Sequence, residues 1–391
     1  MSDPVHVCIL TTAHPIDDVR VCHKFAGAFR AAGFCVTWVG PGHATQAMRN
    51  YNPYDIEFML GPPIRTRVDR LLSSRRIRPI AEQNANVDVY YAPEPDSAQL
   101  ALSLAKNNGA KVIFDIHEIY HGALLDRWLL GFRINLIREY MRRRISLIAS
   151  QCDLVVGVNN AVLAQYSPPK VSKVVVRSCA PSWFAKGEPA DVCGSQRSSF
   201  NVMHGKSDLA RGTMQVVEAA AMSSAQIRGL RILMFEPANK TNDVGHSSLT
   251  SRIKELSVSE VIDVRPSIPM QDMPRVLQSC DAGLIAYGRD LGIDSLPNRL
   301  FEYMAIGLPI IAPSYAREIA SIIETEQCGI LVDFEDPVDI SKALVQLSQH
   351  PNKCREMGRR SRDAFLARHN WETEVRSVIE CIQNWHTSGL K

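Results

Sequence analysis

Short apolar runs closed by turn-forming residues alternate with stretches of helical periodicity along the whole chain. Residues 5–10 (VHVCIL) read as a buried strand, and a Thr-Ala-His-Pro turn follows. Residues 19–32 carry helical spacing and stop at Gly33, and residues 34–39 read as the next strand. This strand–helix–strand order argues for a parallel sheet. Further strands are expected at 87–91, 111–118, 153–158 and 173–177, with helices over 97–105 and 159–166. A segment rich in glycine, proline, serine and charge at 182–199 interrupts the pattern and reads as a linker. The alternation then restarts. Strands are expected near 200–204, 230–235, 261–265, 282–286 and 330–333. Helices are expected from about 213 and over 272–279, 337–347 and 357–369, with a last one opening at 370–372. Residues 236–248 read as a polar loop, with a short helical piece at 253–256.

The stretch 294–312 (DSLPNRLFEYMAIGLPIIA) organises the second half. Pro297 suits a first helical turn, because it lacks an N–H and its φ is fixed. Ser295 is placed to cap. Gly307 ends the helix, where a left-handed residue is easiest for glycine. Leu296, Leu300 and Met304 recur every four residues as an apolar face, while Asn298 and Glu302 lie one turn apart on a polar one. Residues 308–312 then form a short buried strand. The residues alone leave two readings: a solvated helix face, or a pocket wall. In the second, the helix N-terminus receives a phosphate, Glu302 accepts hydrogen bonds from a ribose diol, and Asp294 accepts them from a hexose.

Composition narrows the class. A chain of 391 residues exceeds what one hydrophobic core usually supports, so two domains are expected. A net charge of +3 gives no reason to expect a nucleic-acid partner. The ten cysteines form no CxxC pair and several sit in apolar runs, which fits buried thiols in a reducing cytosol rather than a disulfide framework or a zinc site. No apolar run is long enough to span a bilayer, and residues 1–12 show no basic n-region, so no signal peptide is expected. GxGxxG is absent after the first strand, and Gly40-Pro-Gly42 reads as a turn, which argues against a nicotinamide-binding domain.

Three polar clusters carry candidate chemistry. The loop Thr12-Ala-His14-Pro-Ile-Asp-Asp18-Val-Arg20 follows the first strand, at the sheet edge where ligands bind in open α/β folds; alternatively Asp17 or Asp18 caps a helix and Arg20 is solvated. The loop after residue 91 holds Glu94 and Asp96, and the next strand ends in Asp115-Ile-His117-Glu118. In the second half, His204-Gly205-Lys206 precedes Arg211-Gly212. A glycine there lets a phosphate approach the backbone, and two cations five residues apart can clamp a diphosphate, though solvated loop charges would look the same. Two arginine-rich stretches remain, 65–78 and 127–144. The second is helical with Trp128, Phe132, Leu136 and Tyr140 on one side, a pattern suited either to core packing or to peripheral contact with an anionic membrane.

Residues 294–309 resemble the donor-sugar motif of the retaining glycosyltransferases of family 4, which have the GT-B fold. That motif is a glutamate, seven residues and a second glutamate, followed by Tyr/Ala-Met-Ala-x-Gly-x-Pro; here Glu302 is the second and Asp294 stands in the first position. The Glu94-Pro-Asp96 loop and the Asp115-x-His117-Glu118 strand end are also similar to family motifs. The resemblance implies an α/β chain of two Rossmann-like domains facing across a cleft, with a C-terminal helix returning to the first. The domains would be an acceptor-binding one at 1–182, a linker at 183–199, a nucleotide-sugar-binding one at 200–368 and the returning helix at 369–391. It implies hexose transfer with retention to an acceptor hydroxyl, in glycan, glycolipid or metabolite synthesis. The acceptor would be a sugar, a lipid-linked sugar or a small molecule, and no cofactor or metal would be needed. Lys206 and Arg211 would stabilise the departing diphosphate, and His117 would hydrogen-bond the sugar as the leaving group departs. Gly205, Asp294, Ser295, Leu296, Asn298 and Glu302 would line the donor, with the base meeting main-chain groups around Arg265. His14, Arg20, Glu94, Asp115 and Glu118 would lie on the acceptor side. The expected location is the cytoplasm, with peripheral contact at the inner face of a membrane. A sugar-nucleotide epimerase of the same fold, a non-catalytic nucleotide-sugar-binding module and an assembly subunit are the alternatives.

Overall fold

The computed structural model describes residues 4–42, 54–84, 86–117, 134–166, 168, 170–193, 198–208, 211–236, 243–293 and 295–389. Trp128, Phe132, Glu118 and Asp294 lie outside the described residues. The chain divides into two compact units, one of residues 1–177 with 372–391, the other of residues 178–371.

The first unit holds seven strands: β1 (His6–Leu10), β2 (Cys35–Pro41), β3 (Glu57–Gly61), β4 (Val89–Ala92), β5 (Lys111–Ile116), β6 (Leu154–Gly157) and β7 (Lys173–Val175). All pair in parallel in the order β3-β2-β1-β4-β5-β6-β7. The chain starts in the middle, winds outward to β3, then crosses back to β4 and winds the other way. That reversal makes the gap between β1 and β4 the switch point of a doubly wound sheet, where the loops after adjacent strands diverge and leave a crevice. β1, β4 and β5 are almost wholly buried, as expected of strands covered by helices on both faces.

The second unit repeats the plan with β8 (Phe200–Lys206), β9 (Leu230–Phe235), β10 (Ile262–Arg265), β11 (Ala282–Leu284), β12 (Ile310–Pro313) and β13 (Gly329–Val332), in the order β10-β9-β8-β11-β12-β13. Its switch point lies between β8 and β11. The helix Asn298–Ile306 crosses here, with Leu300, Phe301 and residues 303–306 fully buried. Burying side chains of this size is worth about 1.5–3 kcal/mol each. The Tyr303 hydroxyl bonds the Met203 carbonyl of β8 at 3.2 Å, locking the helix to the strand end.

Several expectations change. Ser295 does not cap the helix at 298: Pro297 takes the N-cap position in an extended conformation, with no side-chain cap. Pro297 itself is extended, at ψ 144°, so the helix begins after it at Asn298. Gly307 does end it in the left-handed region, at φ +84°. Residues 243–255, read as mostly loop, form a helix whose sparse apolar residues include the buried Leu249. Gly40 and Pro41 extend β2 instead of turning, paired with Leu60 and Gly61 of an edge strand the hydrophobic pattern does not mark. The arginine-rich stretch at 65–78 belongs to the helix Arg67–Ala81, started by a reciprocal Thr66–Asp69 capping box. The helix Arg317–Glu326 also goes unpredicted. The last helix, Trp371–Thr387, belongs almost entirely to the first unit, where Glu374 pairs with Arg177.

Candidate active site

In the second unit, β8 ends in His204-Gly205-Lys206. Its register against β9 slips between Met203 and Gly205, and Gly205 takes φ +90°, a conformation that side chains resist. The space above Gly205 is not open. A Cβ placed there would lie 2.0 Å from the guanidinium carbon of Arg299. Arg299 stands in the first turn of the helix Asn298–Ile306, and its Nη1 donates to the His204 carbonyl at 2.6 Å. The glycine therefore makes room for a cation, where the sequence reading gave that room to a phosphate. Through this contact the glycine loop and the helix that carries Glu302 meet, with Glu302 one turn beyond Arg299 and half-buried.

His204 is buried beneath this pair. The Thr213 hydroxyl donates to the Asp208 carbonyl at 2.7 Å, so at 2.9 Å from His204 Nε2 it accepts, which places the ring proton on Nε2. His204 Nδ1 is buried without a hydrogen-bond partner. Burial, and then the charges of Arg299 and Arg211, push the His204 pKa down to about 3. The ring is a neutral prop that adds no charge of its own.

Arg211 sits before Gly212, whose φ of +67° starts the helix Thr213–Ser223. Its Nη1 donates to the Tyr287 hydroxyl at 2.9 Å and its guanidinium lies 5.3 Å from the centre of that ring. Tyr287 follows β11, and its carbonyl accepts a short bond from the Tyr315 hydroxyl. Lys206 ends β8 and is half-buried. Ser295, Leu296 and Asn298 are half-buried along the entry to the helix. Arg265 stands apart at the exposed end of edge strand β10; its side chain bonds Asp263 at 2.6 Å, and its carbonyl accepts from the Glu236 amide at 2.8 Å.

In the first unit, the polar residues gather at the C-terminal ends of β1, β4 and β5. Three of them, Arg20, Asp115 and Glu94, are buried and bonded to neighbouring groups of this unit. Arg20 is not solvated: its Nε and Nη2 each donate to Asp115 at 2.8 Å, and it also bonds the Val176 carbonyl. Asp115 is fully buried and also accepts from the Tyr91 hydroxyl at 2.5 Å. Burial alone would raise its pKa, but the Arg20 charge and hydrogen bonds hold it below the ordinary carboxylate value. Glu94 is equally enclosed. It accepts from the Thr11 hydroxyl at 2.6 Å, the Ala13 amide at 2.9 Å and the Ser97 hydroxyl at 2.8 Å. This carboxylate folds the loop that bears His14.

His14 and His117 are what that scaffold presents. Their rings lie 5.0 Å apart at 52°, and His14 Nδ1 bonds Asp18 at 3.0 Å. Asp18 also caps the following helix by accepting from the Val21 amide. Burial lowers the His14 pKa, yet the Asp18 hydrogen bond and the charges of Glu94, Asp18 and Asp115 outweigh it and raise the value to about 8. Among the described residues no group of three or more His, Cys, Asp or Glu is arranged to hold a metal ion. No described helix is long and apolar enough to cross a membrane.

Sequence reasoning missed Arg299, His204 and Tyr287. For Arg299 a signal existed, since it lies three residues before Glu302 on one helix face. Tyr287 gave none, because only the fold brings β11 beside the loop after β8.

Two family models match, "Glycosyltransferase Family 4" over residues 19–176 and "Glycosyl transferase-like" over 231–380. A D-inositol 3-phosphate glycosyltransferase of Corynebacterium kroppenstedtii is 22% identical over 238 residues, 58% of this chain and 51% of that protein. The aligned part thus spans about half the length of that relative. Among solved structures, Anabaena HepE in complex with UDP superposes with TM-score 0.73 at 14% identity, covering 97% of this chain and 100% of that one. Sucrose-phosphate synthase from Thermosynechococcus elongatus gives TM-score 0.74 at 13% identity, with 99% and 100% covered.

Proposed function

The chain belongs to the glycosyltransferases of the family 4 type with the GT-B fold, and from that premise we propose that it transfers a hexose from a nucleoside-diphosphate sugar to an acceptor hydroxyl, with retention at the anomeric carbon. The observation that carries this reading is the cluster at the end of β8. Arg299 lies against the left-handed Gly205 that precedes Lys206, the charges of Arg299 and Arg211 both act on the buried His204, and Glu302 follows one turn along the same helix as Arg299. Pyrophosphate with an attached ribose is the ligand such a set recognises: fixed cations for the phosphates, a carboxylate for the diol.

The reaction needs charge stabilised on the leaving diphosphate more than it needs a protein base. Cations held in place before the reaction stabilise that charge without reorganising as it develops. Arg211 is held by Tyr287 and Arg299 by the His204 carbonyl, so neither must be ordered at that moment. In this reading the departing phosphate accepts the acceptor proton and His117 hydrogen-bonds the sugar. A uridine nucleotide is the first donor to test, because HepE binds UDP. The ten free cysteines fit a reducing compartment, so we place the reaction in the cytoplasm, in glycan or glycolipid synthesis.

The test is a thermal-shift screen against UDP-, GDP- and ADP-sugars, followed by incubation of the stabilising donor with glycerol, inositol and simple sugars as acceptors. Release of nucleoside diphosphate with an α-linked product from an α-linked donor supports the reading. A donor that comes back as a different sugar would make the protein an epimerase. Binding without release of nucleoside diphosphate would make it a binding module.

A further inference from the structure

The two arginine-rich stretches lie far apart in sequence and end up on one face of the first unit. The helices Arg67–Ala81 and Ile134–Ala149 flank the helix Pro95–Asn108, which contacts both. Together the two outer helices carry nine arginines against two acids, Asp69 and Glu139, while the whole chain is only +3. Positive charge is thus concentrated here and offset elsewhere.

Apolar side chains stand among these cations. Of the nine large hydrophobic residues exposed among the described ones, five lie on these two helices. Leu71 is 76% exposed and Leu136 74%. At 3.6 residues per turn, Leu136, Tyr140, Arg143 and Leu147 fall within about 60° of one another, and Val68, Leu71, Arg75 and Arg78 within about 80°. Each helix therefore shows an outward stripe mixing apolar tips with guanidinium groups. Between the stripes runs a groove of about 620 Å³ lined by Arg75, Arg78, Lys106, Arg144 and Leu147. Its one carboxylate, Asp96, is already paired with Arg70 at 2.7 Å.

We propose that this face seats the protein on an anionic lipid bilayer, with the groove taking lipid phosphate. A soluble polyanion would use the arginines but gain nothing from Leu71, Leu136 or Leu147. A bilayer interface uses both, since acyl-chain boundary and phosphate lie a few ångströms apart in depth. Arg142 and Arg143 are both held by Glu139 and Arg78 lies 3.5 Å from Glu82, while Arg75, Lys106 and Arg144 line the groove beside Arg78. This inference is independent of the donor chemistry, because the face is built on the first unit and the β8 site on the second.

The test is flotation of the full chain with phosphatidylcholine vesicles, with and without 30% phosphatidylglycerol. Binding at least tenfold stronger to the anionic vesicles is expected, weakening steeply from 0.1 to 0.5 M salt. Arg75→Glu/Arg144→Glu should abolish it. Leu71→Ser/Leu136→Ser, both at exposed positions, should weaken it several-fold while leaving the salt dependence in place. Both variants should keep the wild-type melting temperature, and turnover of a water-soluble acceptor should be unchanged. Absence of binding at low salt, or equal binding to neutral vesicles, would overturn the proposal. So would insensitivity to the leucine variant together with equally strong retention on heparin, which would make the face a site for soluble polyanions.

Discussion

Gly205→Ala is a sharp probe of the β8 site, because two separable effects meet at one atom. The first is backbone strain. A non-glycine residue at φ +90° costs about 1–3 kcal/mol, whatever lies above it. The second is displacement. The added Cβ would lie 2.0 Å from Arg299 Cζ and 2.2 Å from Nη1, so the guanidinium must withdraw by more than about 1 Å to reach ordinary contact. Withdrawal breaks the charged bond to the His204 carbonyl, which is worth about 1.5–3 kcal/mol where it is shielded. It also removes one cation from the proposed diphosphate site. The two costs together make about 2.5–6 kcal/mol, so we expect a melting temperature lower by roughly 5–20 °C, at about 2–4 °C per kcal/mol for a unit of this size. Affinity for nucleoside diphosphate, read by titration calorimetry, should fall about tenfold or more, or about 1.4 kcal/mol. The discriminating measurement is the same substitution in an Arg299→Ala background. If the Cβ acts by evicting Arg299, only the backbone cost remains there, and the two changes couple by 1 kcal/mol or more in ligand affinity. Additive losses would show that Arg299 contributes nothing at this glycine, and the reading of the cluster would fail with it.

Other expectations follow from the same geometry. Lys206→Ala and Arg211→Ala should each lower kcat about 100-fold, as for one lost preorganised charge; near wild-type turnover in both would remove the clamp. Asp115→Asn leaves the Arg20 guanidinium buried without its counter-charge and should destabilise by about 3–5 kcal/mol in urea melts. A loss under 1 kcal/mol would mean that water reaches the pair. His14 has its folded pKa raised to about 8, so its protonated form adds stability that is complete below the unfolded value of 6.5 and disappears as pH rises through 8. Wild type should therefore lose on the order of 1–2 kcal/mol relative to His14→Gln between those limits, and a pH-independent difference would contradict the assignment.

How far the sequence reaches depends on what kind of signal each feature leaves. Continuous apolar runs such as 282–286 and 308–312 mark strands buried on both faces, and those central strands stand where the pattern places them. Edge strand β3, half-exposed along most of its length, gives no such run. The helix Asp243–Glu255 is similarly hidden, because a mostly exposed helix needs few apolar residues. The glycines behave consistently, Gly307 as a helix stop and Gly205 as a left-handed strand end, because positive φ is a local demand that only the backbone sets. Strand order and the switch points are not local, and the two sheets acquire them from crossover handedness and packing.

Polar residues divide by a quantity that spacing does not encode, namely whether their hydrogen-bonding capacity is already filled. Asp115, Glu94 and Arg20 have the residue types of a ligand site, yet their bonds are made to one another and to loop backbone. Arg299 is the opposite case: an unremarked letter inside a motif, placed by the fold on the one glycine that can admit it. Its position three residues before Glu302 has a consequence for the ligand. On a helix, side chains at that spacing are neighbours about 5–6 Å apart at Cβ, and the buried Tyr303 fixes the helix to β8. A carboxylate and a guanidinium mounted this way keep their separation whatever the surrounding loops do. In the proposed reading one molecule carrying both a diphosphate and a ribose diol meets both groups, and inserting or deleting a helical residue between 299 and 302 would separate them by rotating one about 100° away from the other.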